Sequence, residues 1–273
     1  MNDKSASSRP YEFSGSVAAH YDQYLGPLFF EPYAIEVANR IDPKNINTAL
    51  ELAAGTGIVT RHLRKLLPKE STLIASDVSA DMLQIAKDKL KAEDIEWQII
   101  DAQELNFADN SIDLIVCSFG YMLVPDKVKA YSEAFRVLKK GAMLLITTWD
   151  KLEKVGASNV YRKIVKKYLP DPIPECYRLP FSMFDENEIK NNLQDAGFTR
   201  IQVEKVERLS YSDSAKDATE GLTQGGLIYN EIMNNNPASM DEIKSEVEKQ
   251  LTEKFGAAPM VAPMSALITQ AWK

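Results

Sequence analysis

The sequence predicts an α/β protein: a mostly parallel sheet of seven strands with helices on both faces, a helical cap in front and a helical insertion before the last strand. Three observations carry this. Short apolar runs that end in turn residues recur through the chain, and stretches with apolar residues at helical spacing separate them. From Thr48 to Thr148 the two alternate regularly, which implies right-handed crossovers between parallel strands. Such sheets bind ligands outside the carboxyl ends of their strands, so chemistry is expected along that edge.

In order, residues 1–10 read as a loose tail, with order beginning near Tyr11. Val17, Tyr21, Tyr24, Leu28, Tyr33, Ile35 and Val37 suggest two helices broken around Gly26-Pro27, a cap within residues 1–41. The main domain, residues 42–273, opens with a strand at Thr48 to Ala53, a glycine turn, and a helix carrying Val59, Leu63, Leu66 and Leu67, stopped by Pro68. Leu73 to Ala75 is the second strand, and Ser79 can cap a helix with Leu83, Ala86 and Leu90 on one face. Strands follow at Trp97 to Ile100 and Ile112 to Cys117. A helix from about Asp126 to Lys139 carries Val128, Tyr131, Phe135 and Leu138 as its sheet-facing stripe, and Gly141 supplies its stop before the strand Ala142 to Thr148. The remainder reads as a helix near Glu186 to Ala196, a strand near Thr199 to Leu209, polar helices from Ser214 to Phe255, and a final strand at Ser265 to Trp272. Residues 213–258 form the expected helical lid insertion.

Composition narrows the function. The 273 residues, 45% hydrophobic, suffice for a substantial core. A net charge of -7 offers no global positive field to nucleic acid or anionic membrane, so neither is expected as a partner. Cys117 and Cys176 match no metal spacing and point to free thiols in a reducing, cytoplasmic setting with no metal site. The polar N-terminus and the lack of any apolar run near the roughly 20 residues of a membrane span predict neither secretion nor an anchor.

The sharpest motif is Glu51-Leu-Ala-Ala-Gly55-Thr-Gly57, between the first strand and its helix. Its glycines allow positive φ and close passage of a ligand over the backbone. A dinucleotide fingerprint would want a third glycine at position 60, where Thr60 stands, and no Gly-Lys-Ser/Thr follows to make a P-loop. Asp77, twenty residues beyond Gly57 at the end of the next strand, can accept hydrogen bonds from both hydroxyls of a ribose. An adenosine-bearing ligand is indicated.

At these residues the chain resembles the class I S-adenosylmethionine-dependent methyltransferases, particularly the small-molecule branch related to the quinone-biosynthesis C-methyltransferases. The likeness rests on Glu51 to Gly57, Ala75-Ser-Asp77 with Met82, Asp101-Ala102, Asp113 to Gly120, and Arg136-Val-Leu-Lys-Lys-Gly141. It implies a Rossmann-like sheet with an antiparallel last strand and S-adenosylmethionine as cofactor. It also implies roles: Glu51, Ala53, Gly55 and Gly57 around the methionine portion, Asp77 and Val78 at the ribose, Met82 against the adenine, Asp101 and the Ala102 amide at its polar edge, and Ser118 beside the methionine end. Lys140 and Ala142 stand where relatives often have proline and glycine, a departure confined to a loop.

The acceptor is then a small molecule methylated on O, N or C. Tyr24 is the expected cofactor contact from the cap, and His20, Phe119, Tyr121 and Trp149 are candidate walls for the acceptor. Each of these also has a plain structural reading as packing, and no catalytic base stands out; His62 reads as structural. Two other functions remain open at this point: a cofactor-binding module without turnover, and a nicotinamide dehydrogenase, which Thr60 disfavours.

Overall fold

The computed structural model describes residues 13–273. The tail and its end near Tyr11 therefore lie outside the described residues.

Seven strands form one sheet in the order β3-β2-β1-β4-β5-β7-β6. They are β1 (Thr48–Leu52), β2 (Thr72–Asp77), β3 (Glu96–Ile99), β4 (Ile112–Ser118), β5 (Leu138–Trp149), β6 (Arg200–Ser212) and β7 (Met260–Trp272). β1 to β5 pair in parallel, whereas β7 runs antiparallel to both β5 and β6. The order reverses at β1, which lies between β2 and β4, and this opens a crevice at the strands' carboxyl ends. Leu50, Leu52, Leu114, Ile115 and Val116 are buried, as strands covered on both faces require.

In the cap, α1 (Ser16–His20), a π-helical stretch (Tyr21–Phe30) and α2 (Glu31–Ala38) run into one another without the break expected at Gly26-Pro27. Pro27 lies inside the stretch, and the Glu31 amide after it donates to the Gly26 carbonyl five residues back, the bond of the wider turn. Tyr33 ties the cap to the sheet through a buried hydrogen bond from its hydroxyl to the Val206 carbonyl at 3.0 Å, worth about 1 kcal/mol.

The crossover helices are α3 (Ile58–Leu66), α4 (Ala80–Lys89) and α5 (Lys127–Val137). Ser79 caps α4 by accepting the Met82 amide at 3.2 Å, as its position suggests. Helix α5 differs from expectation at two points. It ends at Val137, and Leu138 already pairs with Ile112 in β5; Gly141 lies inside that strand, its amide donating to the Lys273 carbonyl. Its buried face is Ala130, Tyr131, Ala134 and Val137, while Val128 is exposed. Two alanines let the helix axis approach the sheet closely, which rotates the larger Val128 outward and leaves Phe135 edge-on to Phe198 at 5.1 Å.

Residues 150–185, given no element from the sequence, contain α6 (Gly156–Val165) and several short 3₁₀ turns. Then come α7 (Glu186–Asp195) and, between β6 and β7, the helices α8 (Ala215–Gln224), α9 (Ile228–Asn235) and α10 (Met240–Phe255). Among the described residues, no helix is long and apolar enough to cross a membrane. Within the same residues, no group of three or more metal-ligating side chains comes together.

Candidate functional site

A cavity of about 540 Å³ lies at the crevice, within the range of pockets that hold small ligands. The carboxyl ends of the first five strands all reach it, in sheet order: Ile100 to Ala102 after β3, Asp77 to Ser79 after β2, Leu52 to Gly55 after β1, Cys117 to Gly120 after β4, and Trp149 closing β5.

The glycine turn is built for close passage. Ala53, Gly55 and Gly57 all have positive φ, and a Cβ placed on Gly55 would meet nothing within 4 Å, so it would project into open space beside the cavity. Gly57 faces the other way: its Cβ would press on Ala86 and Leu90 of α4 at 3.1 Å, so this glycine lets the start of α3 pack against α4 and does not line the cavity. Thr60, where a dinucleotide site would place a third glycine, is wholly buried.

Asp77 braces the turn and lines the cavity. Its Oδ2 accepts the Gly55 amide at 2.9 Å and its Oδ1 the Ser79 amide at 2.8 Å, so one carboxylate joins the β1 and β2 turns. Asp101 lines the same wall and accepts the Gln103 amide at 2.9 Å. Val78, 41% exposed although apolar, presents a bare hydrocarbon surface beside Met82 and Ile100. Two carboxylates flanking an apolar slot suit a nucleoside: ribose hydroxyls at one, a flat ring and its amino group toward the other.

Glu51 lies outside the lining. It is 1% exposed, and its Oε2 has no hydrogen-bond partner. Burial pushes the carboxyl up to about 8, with the Asp77 charge adding to the rise and Thr60 opposing it. A raised carboxyl favours folding while protonated. Its contribution is complete below the ordinary value of 4.5 and is lost as pH rises through about 8. Glu51→Gln is therefore expected to melt progressively higher than the wild type as pH increases from 5 to 8.5. Parallel melting curves for the two proteins across that range would contradict the burial argument.

Beyond the turn, the walls become aromatic. Phe119, at φ +57, is held in this uncommon conformation between Trp149 at 4.3 Å, Phe30 at 5.2 Å and Tyr33 at 5.6 Å. Ser118 and Phe119 border the cavity, as does Trp149. Tyr121 does not: it is fully buried and packs on Tyr131 at 4.8 Å. Gly120 admits no side chain, since a Cβ there would sit 2.4 Å from that of Ala53.

In the cap, Tyr24 and His20 also lie outside the lining and stack on each other at 6.0 Å; the Tyr24 Cβ faces Gly221 of α8. Tyr21 lines the cavity in place of Tyr24, with Leu25, Phe29 and Phe30. His62 pairs with Glu31 at 2.8 Å. The sequence reading missed a second group entirely: Ser158, Tyr161 and Arg162 of α6, with Phe181, and Leu222 and Leu227 from α8 and its following turn. A signal was available, since Ala157, Tyr161 and Ile164 recur at helical spacing within residues 156–165. Burial raises the Tyr21 and Tyr161 hydroxyls well above their usual range, so both are protonated donors at neutral pH.

Comparison with known proteins agrees with this geometry. Residues 7–174 match the model of the ubiE/COQ5 methyltransferase family. A ubiquinone/menaquinone biosynthesis C-methyltransferase UbiE from Klebsiella pneumoniae subsp. pneumoniae is 30% identical over 203 residues, covering 68% of this chain and 81% of the relative. Its counterpart from Hydrogenovibrio crunogenus is 27% identical over 204 residues, covering 68% and 80%. The solved YcgJ protein from Bacillus subtilis shares the fold, with a TM-score of 0.59 at 17% identity over 88% of this chain and 97% of that one.

Proposed function

The chain belongs to the ubiE/COQ5 family of S-adenosylmethionine-dependent methyltransferases, and we propose that its acceptor is a small, apolar or aromatic molecule methylated on O, N or C. The observation that carries this reading is the single cavity: its nucleoside-like half, at the strand ends, continues into an aromatic half enclosed by Phe30, Phe119, Trp149 and Phe181. The names of the UbiE relatives point to quinone biosynthesis, which suits an aromatic wall. The family match ends at residue 174, however, while Leu222, Leu227 and Ile228 also line the cavity, so part of the acceptor's surroundings lies beyond the matched region.

In this reading Asp77 and Val78 hold the ribose, and Met82 and Ile100 flank the adenine. Asp101 and the Ala102 amide meet its polar edge, and the open cradle at Gly55, with Ser118, borders the methionine portion. Glu51 acts from beneath the turn, without touching the ligand, and Tyr21 covers it from the cap. When bound, S-adenosylmethionine supplies a methyl group already activated by its sulfonium. The protein's own contribution is then enclosure and alignment, which can lower a barrier by roughly 7 to 11 kcal/mol. The aromatic walls exclude water, and the protonated Tyr21 and Tyr161 hydroxyls can orient an acceptor oxygen or nitrogen. Helices α8 and α9, from the 213–258 insertion, serve as the lid over the acceptor.

Cell extract incubated with the protein and methyl-labelled S-adenosylmethionine tests the assignment. Label is expected in solvent-extractable small molecules. Label only in precipitated protein or nucleic acid would refute a small-molecule acceptor, and binding of the cofactor with no labelled product would favour a module without turnover.

A further inference from the structure

The acceptor half of the cavity contains one group that an apolar ligand leaves unexplained. Arg162 lines the wall yet is only 7% exposed, and among the described residues it forms no ion pair. Its one side-chain hydrogen bond in that set is from Nη1 to the Tyr177 carbonyl, while the Tyr177 hydroxyl donates to the Arg162 carbonyl at 3.0 Å. The rings of Tyr177 and Phe181 cover it at 5.2 and 4.9 Å. A guanidinium has five N–H donors, and a single carbonyl engages only part of its fork; none of its other nitrogens is sealed from the cavity, so they are open to a ligand there. Removing such a cation from water is costly, and two cation–π contacts offset only part of that cost. Burial accordingly depresses its pKa to about 10, with only tyrosine and cysteine side chains opposing.

The cavity's other cations and acids do not resolve this. Lys127 donates to the Val124 carbonyl at 3.2 Å and has Glu175 and Glu188 as its acidic neighbours. Asp77 and Asp101 belong to the nucleoside half. Ser158, one helical turn before Arg162, adds a hydroxyl to the same wall, with the rings of Tyr161 and Phe181 beside it. Glu175 also lines the cavity but forms no ion pair with Arg162, so the guanidinium can still take one planar anion, a demand that a carboxylate meets through a two-pronged pair.

We infer that the acceptor is an aromatic or apolar carboxylic acid, and that Arg162 with Ser158 receives its carboxylate at the Phe181 end of the cavity. This rests on the methyltransferase reading above and adds the acceptor's chemical class to it. Arg162 is here a specificity-determining residue that positions the acceptor's reacting atom through the remainder of its ring.

The test uses the full chain saturated with S-adenosylhomocysteine, titrated with 2-naphthoate and with neutral 2-naphthamide as matched probes. The wild type is expected to bind the naphthoate at least tenfold more tightly. Arg162→Met is expected to abolish that preference while retaining the naphthamide, and Arg162→Lys to keep part of it. Titration of S-adenosylhomocysteine itself separates the two readings. If the wild type fails to bind it, the methyltransferase assignment fails; if it binds and the wild type treats the two probes alike, including binding neither, the carboxylate inference alone is overturned. A loss of S-adenosylhomocysteine affinity in a folded Arg162→Met, as large as its loss of naphthoate affinity, also overturns it, because Arg162 would then hold the cofactor's own carboxylate. The wild-type comparison needs no variant to fold.

Discussion

Asp77→Ala is expected to weaken S-adenosylhomocysteine binding by about a hundredfold, measured calorimetrically. Hydrogen bonds to a charged acceptor contribute roughly 1.5 to 3 kcal/mol each, and losing the ribose pair removes about 3 kcal/mol even after partial compensation by water. The structure adds a second route to the same loss. Without the carboxylate, the Gly55 and Ser79 amides lose their shared acceptor, and the two turns that form the cavity floor are no longer tied together. The variant should therefore melt somewhat lower as well. Asp77→Asn separates the effects, since its amide oxygen still accepts from a backbone amide but carries no charge; it should restore the melting temperature more fully than the affinity. Wild-type affinity in a folded Asp77→Ala would remove the ribose contact from the proposal.

Gly120→Ala should be the most damaging single methyl added to the site. Its Cβ would lie 2.4 Å from the Ala53 Cβ and 2.7 Å from the Cys117 Sγ, neither of which is the free end of a flexible chain. Ala53 is already at φ +54, so it can retreat only by moving the turn between β1 and α3. Overpacking of this kind costs about 1 to 3 kcal/mol, which for a chain of this size corresponds to a fall in Tm of roughly 2 to 5 °C. Because that turn carries Gly55, cofactor affinity should fall with it. Gly226→Ala is the matched control, since its Cβ would meet only the Leu222 carbonyl at 4.0 Å, and its Tm should stay at the wild-type value. If Gly120→Ala melts with the wild type, the β4 end is less rigid than its packing indicates.

Strands β1, β2, β4 and β5 were readable because buried parallel strands leave short apolar runs, whereas β3, at the sheet edge, is half-exposed and showed only in Trp97, Ile99 and Ile100. The half of the cavity proposed for the cofactor shared that legibility as a cluster, since Gly55, Asp77 and Asp101 stand at or just after the ends of strand runs and the sheet order brings them to one cavity. The sequence was misleading where the deciding quantity was geometric. Pro27 reads as a break, yet it lies inside a continuous π-helical stretch, and of the two cap tyrosines it is Tyr21, with Leu25 and Phe29 at four-residue steps, that lines the cavity. The stripe on α5 was placed by size of apolar side chain, whereas Ala130 and Ala134 set the face by being small. Arg162 was the furthest out of reach: a basic residue in a mixed helix reads as solvated, and only the packing of α6 beneath Tyr177 and Phe181 reveals a buried cation.

The pairing of β6 with β7 runs without interruption from Arg200 opposite Trp272 to Ser212 opposite Met260, so both ends of residues 213–259 leave the sheet from adjacent positions. Chain inserted between two clamped points adds little closure cost, about 0.6 kcal/mol for each doubling of its length. The length of that segment can therefore change at little cost to the closure of β6 on β7. What limits such a change is α8, whose Gly221 and Gly225 admit Tyr24, Tyr21 and Leu25 of the cap: a graft at Ser212 and Met260 that alters the acceptor wall has to keep both small residues if Tyr21 and Leu25 are to stay in the cavity.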